Sequence, residues 1–365
     1  MDHLDSLREQ IQDIDKKILE LTAKRMEMCR QVGALKKQQS IPIKNYQIEK
    51  NIMSRTSQSA ERLNLEPKLA KDILRLLITQ SVIEQEQIKA DKASHNYLKS
   101  HKNVGIIGSQ GPMGQWMWQF FQGFGHNMMG CDTKNSAEPE HQYKIEEIAA
   151  NADFIVIATP MTQAAETLRH LVRFKSQAII MEICSLKSPV STALDECESA
   201  GLKIASIHPM FGPNTKLLAD KNLIICERGD ELTTKIVTDV FKATTVNIHH
   251  IEFAVHDKYM SYILGAAHLT NLLFANLMDG KDVGFQDLNR LAGTTFAKQL
   301  AVSQDVLSEN PKLYHEIQYL NKETPAIFDN IIEIVNSLKE LTLKDKQEQF
   351  IDFWTKLKET VTTPI

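Results

Sequence analysis

Residues Val104-Gly105-Ile106-Ile107-Gly108-Ser109-Gln110-Gly111-Pro112-Met113-Gly114 carry a short apolar run, a glycine-spaced turn and the start of an apolar helix. The run reads as a strand buried on both faces. Trp116, Met117, Phe120, Phe121 and Phe124 follow at helical spacing. A glycine turn between a buried strand and a helix lets backbone N–H groups and the helix start meet a pyrophosphate. Read as G-x-G-x-x-G, the pattern has Ser109 in the first glycine position, preceded by Gly108. Gly108, Ser109, Gly111, Met113 and Gly114 are therefore expected at a nucleotide. A second strand, Asn127 to Cys131, ends in Asp132, eighteen residues past Gly114. An acid there suits the adenosine ribose hydroxyls and repels a 2′-phosphate, which favours NAD over NADP. Lys134 lies two residues on, and an ordinary tight turn without a nucleotide is the alternative.

Beyond this stretch, short apolar runs alternate with helical segments. Phe154-Ile155-Val156-Ile157, Ala178-Ile179-Ile180-Met181, Ile204-Ala205-Ser206-Ile207 and Leu223-Ile224-Ile225 read as further buried strands. With helices between them they predict a mainly parallel sheet in an α/β domain. In open sheets of this class the carboxyl ends of strands face the ligand crevice. One strand ends there in His208-Pro209-Met210-Phe211-Gly212-Pro213, and another in Glu182-Ile183-Cys184-Ser185-Leu186-Lys187. A histidine, a hydroxyl and an ammonium beside a nicotinamide site point to oxidation of an alcohol on an anionic substrate. From about Ile251 strands vanish and a helical region opened by His256-Asp257 and His268 runs to the end.

On the other side of the sheet region, residues 1–92 read as helix almost throughout. Leu4, Leu7, Ile11, Ile14, Ile18, Leu21, Met28, Val32 and Leu35 fall three and four apart. That seam would run for ~50 Å at 1.5 Å per residue, and a helix so long with one apolar stripe needs a partner, here a second copy. A break follows at Ser40-Ile41-Pro42, then a short helix with Glu49, then a helix from about Pro67 to Lys92 with Leu69, Ile73, Leu76 and Leu77 on one side. The next seam position after Leu21 holds Arg25, and a cation there needs an anion or a snorkelling path. Lys36, eleven residues on, returns to within ~20° of the same face, so two cations can converge on one small dianion. Ser81 and Gln85 offer a hydroxyl and an amide at i, i+4. Arg8 stands ~25 Å from Arg25 along the helix and can only enter the site of an antiparallel partner.

The 365 residues suggest two to three domains at about 150 residues each. Apolar residues make up 42% and charged residues 24%, with a net charge of -4, so disorder and a basic nucleic-acid surface are both excluded. No apolar run reaches the ~18 residues of a membrane span, so no membrane is expected. Met1 to Gln10 mixes both charge signs without an apolar run, so no secretory signal is expected either. The five cysteines, Cys29, Cys131, Cys184, Cys197 and Cys226, are scattered, which fits reduced thiols in the cytoplasm. No metal site is expected.

Leu7-Arg8-Glu9-Gln10-Ile11 with Asp15, Ala23-Lys24-Arg25, Val32-Gly33-Ala34-Leu35-Lys36, Pro42-Ile43 and Gln80-Ser81-Val82 resemble the all-helical AroQ-type chorismate mutase domain, an intertwined dimer. The resemblance implies that Arg25 and Lys36, with Arg8 of the other chain, hold the two substrate carboxylates. It gives Lys36 and Gln85 to the ether oxygen, Glu49 to the ring hydroxyl and Ser81 to a carboxylate. The reaction it implies is a unimolecular rearrangement, catalysed by restriction and by charge stabilisation without a base. Where the family usually has an arginine just before that glutamate, this chain has Ile48, and Asn45 stands three residues earlier.

The strings after the linker, His208 to Pro213 above all, resemble prephenate dehydrogenase of the TyrA family. The whole chain therefore resembles the bifunctional chorismate mutase–prephenate dehydrogenases of tyrosine biosynthesis. The order implied is an all-α mutase domain over 1–92, a linker over 93–102, a Rossmann-like α/β NAD domain over 103–248 and an all-α dimerisation and substrate domain over 249–365. The implied chemistry is oxidative decarboxylation, with His208 taking the proton of the substrate's C4 hydroxyl and Ser185 orienting it. Lys187, His268 and Tyr314 match pocket-lining positions, and Thr159 and Pro160 are counted with the cofactor site. A homodimer and feedback by tyrosine are implied too, the inhibitor overlapping the substrate pocket. Ala297 and Asp305 stand where an ungapped count puts two arginines of the enteric enzymes. That departure keeps two other readings open. One is a dehydrogenase preferring arogenate or another amino analogue, with a weakened mutase. The other is a degenerate NAD-binding protein with a regulatory or scaffolding role.

Overall fold

A computed structural model describes residues 2–38, 55–56, 58–90, 101–134, 138–215, 218, 221–242, 244, 246–279 and 283–362. By contact the chain divides into two compact units, one of Met1–Cys184 with Thr192–Phe253, the other of Ser185–Ser191 with Ala254–Ile365.

In the first unit, α1 (Asp2–Gln38) and α2 (Pro67–Ala90) pack on each other. The buried side of α1 carries Met26 and Gly33, flanked by half-buried Thr22, Arg25, Cys29 and Lys36. Its apolar seam lies elsewhere: Leu4, Leu7, Ile11, Ile14, Ile18, Leu21, Met28, Val32 and Leu35 are all exposed. On α2 the inward side is Ala70, Leu74, Leu77, Ile78 and Ser81, whereas Leu69, Ile73 and Leu76 face solvent. Of the stripe that the spacing singles out on α2, Leu77 is thus inward and the other three residues lie outside. α1 meets α2 with its more polar side, α2 meets α1 with a mostly apolar one, and both leave further apolar positions uncovered.

The remainder of this unit is a seven-stranded sheet built from β1 (Asn103–Ile107), β2 (Asn127–Cys131), β3 (Phe154–Ile157), β4 (Ile179–Glu182), β5 (Lys203–Pro209), β6 (Asn222–Glu227) and β7 (Asn247–Glu252), in the order β2-β1-β3-β4-β5-β6-β7. All neighbours are parallel except β5 and β6. Alternation along the strands supplies both cores. Val104, Ile106, Val156, Met181, Ala205 and Ile207 pack on one face with Met117 and Phe121 of α3 (Pro112–Gly123) and with Val237 and Phe241 of α7 (Glu231–Lys242). The other face is covered by α4 (Ile145–Asn151), α5 (Met161–Arg173) and α6 (Ser191–Ser199), whose Ile148, Leu168, Leu171 and Leu194 are fully buried. Each such aliphatic side chain contributes roughly 1.5–3 kcal/mol. β7 has no apolar run because it is a half-exposed edge strand, which is why apolar runs alone do not reveal it.

The second unit is helical: α8 (His256–Met260), a π-helical turn at Ser261–Ala266, α9 (Ala267–Leu277), α10 (Phe285–Arg290), α11 (Thr294–Ser308), α12 (Pro311–Leu320), α13 (Thr324–Leu341) and α14 (Gln347–Thr362). Asn310 caps α12 by accepting from the Lys312 N–H, and Pro311 fills the first turn, so this helix starts where its sequence dictates.

Candidate active sites

The strand order reverses direction between β1 and β3, and in open sheets of this class the ligand crevice lies beyond the carboxyl ends of such a pair. The glycine loop sits there. Gly108 has φ +90°, and a Cβ on it would lie 2.6 Å from the Ala158 carbonyl oxygen. A Cβ on Gly114 would lie 2.0 Å from the Gly108 oxygen, and one on Gly111 3.3 Å from the same atom. The loop is therefore wound on itself too tightly for side chains, and α3 begins at Gly111 and Pro112 with its N-terminus at the crevice. Thr159 follows β3 at the same edge, its buried hydroxyl without a hydrogen-bond partner; Pro160 beside it is exposed. A bare-backbone cradle, a helix N-terminus and an orphaned hydroxyl fit the pyrophosphate of a dinucleotide.

Ser109 does not project into that cradle. Its side chain is fully buried, with Oγ 3.0 Å from Nδ1 of His141, in space that a Cβ on Gly130 would fill. His141 is in turn stacked on Trp118 at 4.0 Å. A serine at the first glycine position is thus accommodated by a glycine on the neighbouring strand. Met113 is half-buried in the first turn of α3. Asp132 accepts from the Gln110 N–H at 2.9 Å and the Lys134 N–H at 3.0 Å, so its carboxylate is held beside the loop.

His208 is buried near the carboxyl end of β5, opposite Ile224 of β6. Two strand spacings separate β5 from β3, about 10 Å, at the same edge of the sheet as the glycine loop. The segment after His208 is anchored to the nucleotide helix, because Phe211 packs on Trp116 at 4.9 Å and the Trp116 indole donates to the Thr215 carbonyl at 2.7 Å. Ser185 and Lys187 belong to the second unit. There Asp257 accepts from the backbone N–H groups of Lys187 and Ser188 at 2.7 Å each, from the Ser188 hydroxyl and from His256 Nδ1 at 2.7 Å. Burial would raise the Asp257 carboxyl, but the hydrogen bonds from His256, Ser188 and the two backbone groups outweigh it and hold it at about 2. Lys187 is almost fully buried.

In the same unit, His268 and Tyr314 stack at 4.1 Å. Burial lowers the His268 pKa and, with Glu309, raises that of Tyr314, so both stay neutral near pH 7. The π-helical turn just before His268 is a feature frequent at functional sites. The inward side of α11 includes Phe296, Gln299, Leu300, Ser303 and Val306, and Gln299 and Ser303 both donate to Asn271 Oδ1 at 2.9 Å. Ala297 and Asp305 are exposed. Asp305 is two residues, about 200°, from Ser303, so no added acid joins that inward face.

Among the mutase candidates, the fold joins Arg25 and Ser81. The guanidinium donates to the Ser81 hydroxyl and, at 2.7 Å, to the Leu77 carbonyl. Lys36 is half-buried on the same side of α1. Arg8 is exposed and paired locally with Asp5 at 3.2 Å, away from Arg25. Gln85 lies on α2 with its side chain outside the described residues; Glu49, Asn45 and Ile48 also lie outside them.

Residues 7–86 match the family of chorismate mutase type II, 122–250 the nucleotide-binding domain of prephenate dehydrogenase, and 253–358 its dimerization domain. The chain belongs to the chorismate mutase–prephenate dehydrogenase family. It is 22% identical over 350 residues to the T-protein of Enterobacter agglomerans, covering 95% of this chain and 90% of that one. The prephenate dehydrogenase of A. aeolicus, solved with hydroxyphenyl propionate and NAD+, superposes with a TM-score of 0.59 at 18% identity, covering 72% of this chain and 98% of that one. Arogenate dehydrogenase of Synechocystis gives 0.55 at 17% identity over 71% and 97%. These structures share the fold of the dehydrogenase part. The glycine loop precedes the matched nucleotide-binding segment, so its assignment stands on geometry.

Two buried carboxylates, Asp257 and Glu182, carry no motif of their own. Asp257 was visible only as the start of the helical region, and Glu182 only as the end of a strand. The signal for Glu182 was present, since it is an acid closing the otherwise apolar run Ile179-Ile180-Met181.

Proposed function

We propose that this chain carries out two consecutive steps of tyrosine biosynthesis, rearranging chorismate to prephenate and oxidatively decarboxylating prephenate to 4-hydroxyphenylpyruvate with NAD. The observation that carries the second step is a buried histidine at the strand edge that also bears the nucleotide cradle. Gly108, Gly111, Gly114 and Thr159 would hold the pyrophosphate and Asp132 the ribose hydroxyls. When bound, the nicotinamide supplies the hydride acceptor. His208 takes the proton of the C4 hydroxyl, Ser185 orients that pair, and Lys187, His268 and Tyr314 line the substrate. Loss of CO2 leaves an aromatic ring, which drives the step.

For the first step, Arg25, held by Ser81 and Leu77, and Lys36 line one side of α1. With Gln85, Glu49 and a partner's Arg8 they supply cations and donors around a dianion. The exposed seam of α1 supports that partner's being a second copy. We assign residues 1–92 to the mutase, 93–102 to a linker, 103–248 to the nucleotide domain and 249–365 to the dimerisation domain of a cytoplasmic homodimer. Inhibition by tyrosine at the substrate pocket belongs to the same reading.

Replacing His208 with Asn tests the assignment: dehydrogenase kcat should fall by about 10²–10⁴ while mutase activity persists, and a loss below about tenfold would remove His208 from the mechanism. Kinetics with prephenate and arogenate side by side test the substrate, and a kcat/KM clearly favouring arogenate would overturn it.

A further inference from the structure

Glu182 closes β4 and is fully buried. One carboxylate oxygen accepts from the Cys184 N–H at 2.8 Å and the other from the Ser206 hydroxyl. Both these partners donate to the carboxylate. Glu182 and Ser206 are Cα partners in the β4–β5 ladder, and their side chains meet on one face. His208 is two residues beyond Ser206 on the same strand, so its ring projects from that same face, about 7 Å further along β5. The carboxylate thus ties β5, which bears His208, to Cys184, the second residue after β4.

Holding two segments together is a task an uncharged amide performs as well. A negative charge buried beside a histidine that becomes an imidazolium has a further effect, because low-dielectric surroundings leave it poorly screened. We propose that Glu182 is a positioning residue for the dehydrogenase: it aims His208 through Ser206 and β5, and its charge offsets the positive charge His208 gains. In that step the substrate O–H bond breaks, an N–H bond forms on the imidazole, and the C4–H electron pair leaves with the hydride to NAD. The proposal rests on His208 being the proton acceptor.

Glu182→Gln keeps the size of the side chain while removing the charge: its amide oxygen can still accept from the Cys184 N–H, and its NH2 group can donate to the Ser206 hydroxyl, which then accepts instead of donating. It should lower dehydrogenase kcat by about 10- to 100-fold, with KM for prephenate and NAD within about threefold, and leave the mutase of the same chain unchanged. Glu182→Asp should recover part of the loss. The double variant Glu182→Gln, His208→Asn should lose little beyond His208→Asn alone, because the two groups act in one step. A Glu182→Gln enzyme with wild-type kcat, or one whose losses add in full to those of His208→Asn, would overturn the proposal. Full activity in His208→Asn would instead overturn the reading of His208, and this proposal with it. If Glu182→Gln fails to fold, the mutase is lost as well; Ser206→Ala then decides, since undiminished dehydrogenation in it overturns the proposal and a selective fall in kcat supports it.

Discussion

Asp257 accepts four hydrogen bonds, and that places a pH dependence in the fold. Its carboxyl titrates near 3.8 in an unfolded chain and at about 2 here. A depressed folded pKa stabilises the protein fully above the unfolded value and loses that contribution as pH falls from about 4 towards 2. The contribution is about 2 kcal/mol. Asp257→Asn should therefore be less stable at pH 7 by about that amount in denaturant unfolding, with the gap to wild type closing as the pH falls through that window. A gap that stays constant would show that the charge is not what matters. His208 shows what a residue-scale reading can achieve: strand periodicity and the strand-end rule together located it at the crevice edge. Asp257 shows the limit, because its partners Lys187 and Ser188 lie about seventy residues away in sequence.

At the scale of elements, the glycine loop was legible because its physics is local. A strand, a positive φ and a helix start are encoded within eleven residues. The accommodation of Ser109 was not, since the space it occupies comes from Gly130 on another strand. Gly108→Ala forces a side chain into a left-handed backbone, costing roughly 1–2 kcal/mol before the contact with Ala158 is counted. Its KM for NAD should rise at least about tenfold, with the mutase intact, in steady-state assays of both activities. An unchanged KM would move the pyrophosphate elsewhere. The two mutase helices teach the converse lesson. Three-and-four spacing marks apolar positions on α1 and α2 but not which side packs: α1 meets α2 with its more polar side, and α2 meets α1 with Ala70, Leu74, Leu77 and Ile78 rather than Leu69, Ile73 and Leu76.

For the whole molecule, those uncovered stripes carry the prediction. Ile18 stands 55% exposed in the middle of the α1 seam. Burying it against a second copy is worth roughly 1.5–3 kcal/mol per chain. Ile18→Glu should lower mutase kcat/KM by about tenfold or more while the dehydrogenase stays within about twofold, because in the proposed function only the mutase draws on Arg8 of the partner. Sedimentation over a concentration range would report the weakened association, and equal activities in wild type and variant would place the interface elsewhere. The sequence by itself determined the helical, α/β and helical order of the regions, the strands of the sheet interior, the nucleotide loop and the strand-end histidine. All of these follow from periodicity and turn chemistry, which act within about a dozen residues. Tertiary structure alone decided the edge strand β7, the sides by which α1 and α2 meet, the burial of Ser109 and the clamps made by Glu182 and Asp257. Each depends on groups distant in sequence competing for the same buried space or the same hydrogen bonds, and no local pattern records that competition.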